Sequence, residues 1–456
     1  MNSLSYLAPT GMLGGGFSEG HFRAAVESHD LAFLACDAGS TDGGPAYLGT
    51  GHFIQSRQSV KRDLRLLILA ARSKDIPLLI GSAGGAGANR NLEWLAGLAR
   101  EVASEENLHF TLATIPAEPD RDLLLERLAA GRIHPLANAP ELTAQTLCDT
   151  ERIVAMIGPE PIVAAVEQGA DVVIAGRASD AALFAALPVH AGMPAGLSWH
   201  AAKIMECGGA AVAQMDRPEG MICTITEDSF VLEPVSPKQS NTPNSIASHA
   251  LYETANPYRM LEPGGVMDLS EATYEAIDDR RVRVSGSKHE PAPYTVKLEG
   301  ARLAGYQSMV LGGITDPVIL DRYDEWMAGA QAHAVEAVNT SFGRDMTGEY
   351  ELHYRHYGRD AVLADRQKDR PAPGGEIGLL MVVLADTQEK AAGIAATAGH
   401  AILHMAVPEW QGLVSNLAFP FSPHVVDLGP TYSFSVNHAM ELDDPLEIHH
   451  PVLEEL

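Results

Sequence analysis

The chain has 456 residues, 46% of them hydrophobic, and a formal charge of −27 from 59 acidic against 32 basic side chains. That balance excludes sequence-independent binding to nucleic acid, which needs a basic face for the phosphates. It leaves a chain with no low-complexity tract, long enough for roughly two or three domains.

Cys36, Cys148, Cys207 and Cys223 show neither C-x-x-C spacing nor the density of a secreted disulfide scaffold. The stretch Met1 to Met12 lacks a basic region followed by an apolar core, and no apolar run approaches the ~18 residues that span a bilayer. A soluble protein in a reducing, cytoplasmic setting, with no membrane partner, is the expectation.

From the start to about residue 220, short apolar runs alternate with amphipathic segments. This is the pattern of a doubly wound, mostly parallel sheet with covering helices. Three runs end abruptly at small or polar residues: Leu31 to Cys36 before Asp37-Ala38-Gly39-Ser40-Thr41-Asp42, Leu78 to Ile80 before Gly81 to Gly87, and Val172 to Ala175 before Gly176-Arg177-Ala178-Ser179-Asp180. In open α/β sheets such loops gather at the carboxyl ends of the strands, where helix N-termini direct free amides into a crevice. Ser59 is the expected cap of a helix with Leu64, Leu67, Ile68 and Ala71 on one face, and Leu92, Leu95, Leu98, Ala99 and Val102 form the next such face.

Residues 221–300 carry short alternating runs among Pro and Gly, a strand-rich linking region with turns at Asn256-Pro257-Tyr258 and Glu262-Pro263-Gly264-Gly265. After residue 300 the order reads strand 303–313, helix 316–338, strand 349–357, strand 377–384, helix 387–405 and strand 431–437. That β-α-β-β-α-β order predicts a ferredoxin-like α+β domain. The expected domains are therefore 1–220, 221–300 and 301–456.

The loop Gly81-Ser82-Ala83-Gly84-Gly85 has so little side chain that its amides can converge on phosphate or carboxylate. It is neither a P-loop nor a dinucleotide fingerprint, and tight turns with positive φ are the alternative use of its glycines. Asp37 and Asp42, with Gly39, Ser40 and Thr41 between them, put paired carboxylates and two hydroxyls in one loop. Such a pair can divide acid–base work or orient a divalent cation, while capping is the plainer use. Arg177 is placed to clamp a substrate carboxylate, or to pair with Asp180.

His200, Lys203 and Cys207 share one face of a helix expected from Ser198 to Gly208-Gly209. Cys207 lies at the helix C-terminus, where the dipole disfavours a thiolate, so Glu206 is the better acid–base candidate, with a salt bridge to Lys203 as its alternative. His400 and His404 lack the third ligand of a zinc site. The basic group Arg57, Lys61, Arg62 and Arg65 reads as a helix face near the crevice mouth or as a merely solvated one.

Several segments together resemble the acyclic terpene utilisation protein A (AtuA) family: G-G-G-F-S-E from Gly14, C-D-A-G-S-T-D from Cys36, I-G-S-A-G-G-A-G from Ile80, G-A-D-V-V-I-A-G-R-A-S-D from Gly169 and E-C-G-G from Glu206. The likeness continues through Ala247 to Glu253 and Asp278 to Ser287. The resemblance implies a catabolic enzyme or enzyme subunit for unusual carboxylic acids, often handled as CoA thioesters, and an oligomer that includes a small companion protein. It transfers no catalytic residue.

The residues point to a lyase or hydratase acting on a small carboxylate or its acyl-CoA thioester. Arg177, Asp180 and the loops at 39–41 and 81–85 would hold substrate, while Asp37, Asp42 or Glu206 moves protons. A non-catalytic assembly subunit and a nucleotide-dependent ligase are the alternatives. The sequence leaves the cofactor open, with a divalent cation at the carboxylates or a CoA thioester as substrate both compatible with it.

Overall fold

The computed structural model describes residues 3–214, 217, 219–249, 251–252, 254, 256–369, 372–407 and 415–456. Met1 and Asn2, and Ala250 and Glu253 of the Ala247 to Glu253 segment, lie outside the described residues.

In chain order the elements begin with β1 (Leu4–Ala8), α1 (Glu19–Ser28), β2 (Phe33–Asp37), α2 (Pro45–Thr50), α3 (Arg57–Lys74), β3 (Leu78–Gly81), α4 (Asn89–Glu106) and β4 (Thr111–Ile115). Next come α5 (Arg121–Ala129), β5 (Ile133–Pro135), α6 (Ala144–Asp149), β6 (Arg152–Ala155), α7 (Pro159–Glu167), β7 (Val172–Ala175), α8 (Asp180–His190) and α9 (Ala195–Met205). The strand-rich stretch supplies β8 (Met221–Ile225), β9 (Ser229–Pro234), α10 (Pro243–His249), β10 (Arg259–Glu262), β11 (Gly265–Asp268), β12 (Thr273–Ala276), β13 (Val282–Ser285) and β14 (Lys288–Pro291). The last group is β15 (Thr295–Ile314), α11 (Pro317–Asp321), α12 (Tyr323–Phe342), β16 (Tyr350–Tyr357), β17 (Ile377–Ala385), α13 (Gln388–Leu403), β18 (Val425–Glu441) and β19 (Val452–Glu455).

The chain divides into two compact units, Met1–Arg302 with Phe434–Leu456, and Leu303–Ser433. In the first, a ten-stranded sheet runs in the order β12-β13-β9-β8-β1-β2-β3-β7-β4-β19. Its centre, β1-β2-β3-β7-β4, is parallel, and the strands on either side of that centre are antiparallel. The fold is thus mixed α/β, and much of the strand-rich stretch extends this one sheet.

The central strands are apolar throughout because both of their faces are covered. Leu34 and Cys36 of β2 join a core with Phe22 of α1, Leu64 of α3 and Leu95 of α4. Phe33 and Ala35 join the opposite core with Ile162 of α7, Phe184 of α8 and Trp199 of α9. Alternation along one strand therefore feeds two layers of helices. The helix expected to start at Ser59 begins one turn earlier, at Ser56, whose side chain accepts from Ser59 N. An N-cap needs its oxygen next to the second or third helical amide, and Ser56 has that position.

In the second unit, β15 pairs with β17 from Tyr306↔Ala385 to Ile314↔Ile377, and β16 pairs with the other side of β17, both antiparallel. Alternate residues of β17, from Ile377 to Ala385, are buried, and they share a core with Trp326 and Ala330 of α12 and Ile394 and Ala398 of α13. The strands expected between 303 and 437 are present, with β15 reaching back to Thr295 and β18 beginning at Val425, but the single helix expected over 316–338 is two, α11 and α12, separated at Arg322. Among the described residues no helix is long and apolar enough to cross a membrane.

Candidate active site

The site grows from the turn after β7. Ser179 caps α8 by accepting from Ala182 N, which leaves Arg177 held between the strand end and the helix start. The Arg177 guanidinium donates from Nε to Glu299 Oε2 at 2.8 Å, and from Nη1 to Asp180 Oδ1 at 2.8 Å, Ala178 O at 2.6 Å and Ser82 Oγ at 3.1 Å. Glu299 also receives Thr41 Oγ1 at 2.9 Å and Lys297 Nζ at 2.6 Å. Burial works to raise the Glu299 carboxyl, but Arg177 and Lys297 outweigh it and hold the group at about 2. It is a permanent anion inside the fold, and Arg177 is its permanent cation.

Glu299 therefore joins three loops. Thr41 belongs to the loop after β2, Ser82 to the loop after β3 and Arg177 to the loop after β7, and all meet at this carboxylate or its arginine. The expected convergence of the segments near 40, 84 and 178 is present. Its means is a buried ion network, with the glycine loop packed behind it.

That loop does not open its amides to a ligand space. Ala83 N donates to Ala175 O and Gly85 N to Ser82 O, and Gly81 to Ala88 are all buried. Close approach explains Gly87 of this loop and Gly39 of the loop after β2: a Cβ on Gly87, at φ +69°, would stand 2.2 Å from Arg177 N, and a Cβ on Gly39 would stand 2.7 Å from Gly85 Cα. Positive φ and crossing backbones account for the glycines.

Beside the network opens a cleft of about 410 Å³, lined on its polar side by Arg177, Asp180, Lys203, Glu206, Glu262 and Lys297. Leu136, Met156 and Leu261 contribute apolar wall. Lys203 is on the last turn of α9 and Glu206 follows it, so their side chains meet at 2.5 Å. Glu262 ends β10 at a tight hairpin turn, Pro263 followed by Gly264 at φ +78°, and accepts from Ser179 Oγ at 3.1 Å.

The two cleft glutamates differ from Glu299 in kind. Burial raises Glu206 well above the usual carboxylate range, against the pull of Lys203, and Asp180 pushes it further. Burial likewise lifts Glu262 to about 7, opposed by the Ser179 hydrogen bond and Lys203. Lys203 is raised, against its burial, by Glu206 first and also by Glu262, so an ionised Glu262 still favours the ammonium when Glu206 is protonated. A carboxyl poised near neutrality beside a fixed ammonium is suited to exchange protons with a ligand.

Of the sequence-derived candidates, Arg177, Asp180 and Glu206 line this cleft. Thr41 and Ser82 reach it only through Glu299 and Arg177, and Gly39, Gly81, Gly84 and Gly85 lie outside its lining. Asp37 is buried behind it, accepting from Gly39 N at 3.0 Å, and burial together with Asp180 raises its carboxyl. Asp42 is exposed, with Ser40 Oγ at 2.8 Å, and takes no part in the lining. His200 is fully inside the core against Phe230 and Tyr274, and burial lowers it to about 3. The basic face Arg57, Lys61 and Arg65 is spent on Glu101, Glu105 and Glu106 of α4. Among the described residues no group of three or more His, Cys, Asp or Glu is arranged to hold a metal ion.

Glu262, Lys297 and Glu299 were not among the candidates read from the sequence. Thr295, Lys297 and Glu299 alternate with apolar Val296 and Leu298, a polar strand face whose burial is visible only after folding. Glu262 carries no signal beyond its turn.

No curated protein and no solved structure matches the chain. The sequence pattern of the acyclic terpene utilisation family protein AtuA matches residues 57–420, a span that includes Arg177, Lys203, Glu206, Glu262 and Glu299. The match covers well over half of the chain, which therefore belongs to the AtuA family.

Proposed function

We propose that the protein is a catabolic enzyme of the lyase or hydratase type, acting on a small carboxylate or its acyl-CoA thioester by carboxylate-mediated proton transfer. The observation that carries this reading is the pair Glu206 and Glu262, both raised by burial, on one cleft with Lys203. In a dehydration, Glu262 as carboxylate takes the proton α to the substrate carbonyl while the C–O bond to the leaving hydroxyl breaks. Glu206, protonated, gives that hydroxyl its proton, so water leaves and a carbon–carbon double bond remains. Lys203 and Lys297 face the cleft as partners for the substrate's carboxylate or carbonyl oxygen.

Relative to the roles drawn from sequence, Glu206 keeps its part, and Arg177 is assigned to holding Glu299 and Asp180 in place. Asp37 and Asp42 are given no proton-transfer role, because one is behind the cleft and the other outside it. The nucleotide-dependent reading draws no support from a glycine loop that is buried outside the cleft lining and bonds Ala83 N and Gly85 N within the chain. A cytoplasmic setting belongs to the proposal, supported by the lack of any disulfide among Cys36, Cys148, Cys207 and Cys223. So does a ferredoxin-like plan for the second unit, supported by its βαββαβ order and the strand order β16-β17-β15-β18.

The test is turnover of a panel of hydroxy and unsaturated acids, free and as CoA esters. Glu262→Gln and Glu206→Gln are each expected to lose about 10²- to 10⁴-fold in kcat/KM, the range for a general acid or base. Wild-type rates in both variants would refute the assignment.

A further inference from the structure

β16 presents eight residues, and among the described residues only β17 pairs with it. The edge strands of the other two sheets are blunt, β12, β19, β10 and β14 having four residues each, and the far edge of this sheet is the three-residue β5, which pairs with His438, Ala439 and Met440 of β18. A long free edge is a template for another strand. Along this one runs a groove of about 850 Å³ between α12 and β16, walled by Tyr323, Met327 and Gln331 on the helix and Leu352, Tyr354 and His356 on the strand. Tyr354 Oη is buried in it without a hydrogen-bond partner.

The strand's own sequence says what fits there. Tyr350, Leu352 and Tyr354 turn toward the helices, while Glu351, His353 and Arg355 are exposed on the opposite face. When a strand pairs with a copy of itself about a two-fold axis normal to the sheet, opposed residues point to the same face, so odd numbers meet only odd numbers. Centring on His353 sets Glu351 against Arg355 twice over. Centring on Tyr354 sets His353 against Arg355. Centring on Leu352 sets Arg355 against Glu349, whose partners Arg344 and Lys390 are both cations, whereas Glu351 is bonded within its own strand to the His353 imidazole at 2.8 Å. Arg355 has one bond, to Ala361 O at 3.3 Å, and no carboxylate partner among the described residues.

We infer that two copies of this chain join through β16, antiparallel and centred on His353, with Glu351 of each copy against Arg355 of the partner subunit. The interface is isologous and closes at two copies. Opposite charges placed directly across a strand pair are favourable, and like charges there are not, so the contact has a built-in register.

Sedimentation velocity over a concentration series tests this with the full chain. Wild type is expected to dimerise. E351R and R355E, both at exposed positions, are each expected to fold with an unchanged far-UV circular dichroism spectrum yet to weaken self-association at least about tenfold, which is ~1.4 kcal/mol. An equimolar mixture of the two variants should dimerise as wild type does, because each like-charged copy then meets its opposite. A monomeric wild type, a dimer indifferent to either reversal, or a mixture that fails to recover would each overturn the inference.

Discussion

The start of β15 and the end of β10 each bring a glutamate to the same neighbourhood, and the two behave oppositely. Glu299 is met by Arg177, Lys297 and Thr41, and its carboxyl is held at about 2. Glu262 is met by one hydroxyl, from Ser179, and its carboxyl is lifted to about 7. Residue type is the same, and Glu299, at 4% exposure, is the more deeply buried of the two, so burial alone would raise it more. The number of cations within reach decides which glutamate is scaffold and which can work.

The largest expected effect comes from breaking the scaffold member. Glu299→Leu takes a carboxylate from Arg177, Lys297 and Thr41 at once, leaves Arg177 with Asp180 as its carboxylate partner, and should cost about 3–5 kcal/mol of unfolding free energy, measured by urea denaturation. Because the folded carboxyl is depressed, wild type keeps this contribution above the unfolded value near ~4.3 and loses it as pH falls toward about 2. The variant should lack that acid limb.

Glu262 should show the reverse sign and a smaller amplitude. Its folded carboxyl is raised, so its contribution is complete below ~4.3 and is lost as pH rises through about 7. Glu262→Gln should flatten the stability profile between those values and gain on the order of 1–3 kcal/mol at pH 8, as the need to bury a charge disappears. A variant less stable than wild type at pH 8 would erase the contrast between the two glutamates.

Lys297→Met sharpens the comparison at lower amplitude. Its side chain is 38% exposed, so screening limits its share. Stability should fall by under about 1 kcal/mol, and the acid limb of Glu299 should move upward in pH. Asp42→Ala is expected to change neither stability, within about 0.5 kcal/mol, nor kcat/KM, since Asp42 is exposed and bonded to Ser40.

These contrasts also explain what could be read from residues alone. The central strands were legible because runs such as Phe33 to Cys36 and Val172 to Ala175 are apolar on both faces, which only a strand between two helix layers requires. The loops at their ends were legible as neighbours, and Glu299 does tie Thr41 to Arg177. The use of the glycines was not, because amide display and tight crossing call for the same residue, and only the 2.2 Å approach at Gly87 separates them. Glu262 was hidden for a different reason. Its neighbours Ser179 and Lys203 lie far away in sequence, and pKa is set by such neighbours in space.

The central claim is that Glu262 is poised near neutrality on the cleft. Carboxyl ¹³C NMR of glutamate-labelled protein, assigned by the signal missing in Glu262→Gln, reads this directly and needs no substrate. The expected Glu262 titration has its midpoint near 7. A midpoint in the ordinary glutamate range, about 4.3, would contradict it.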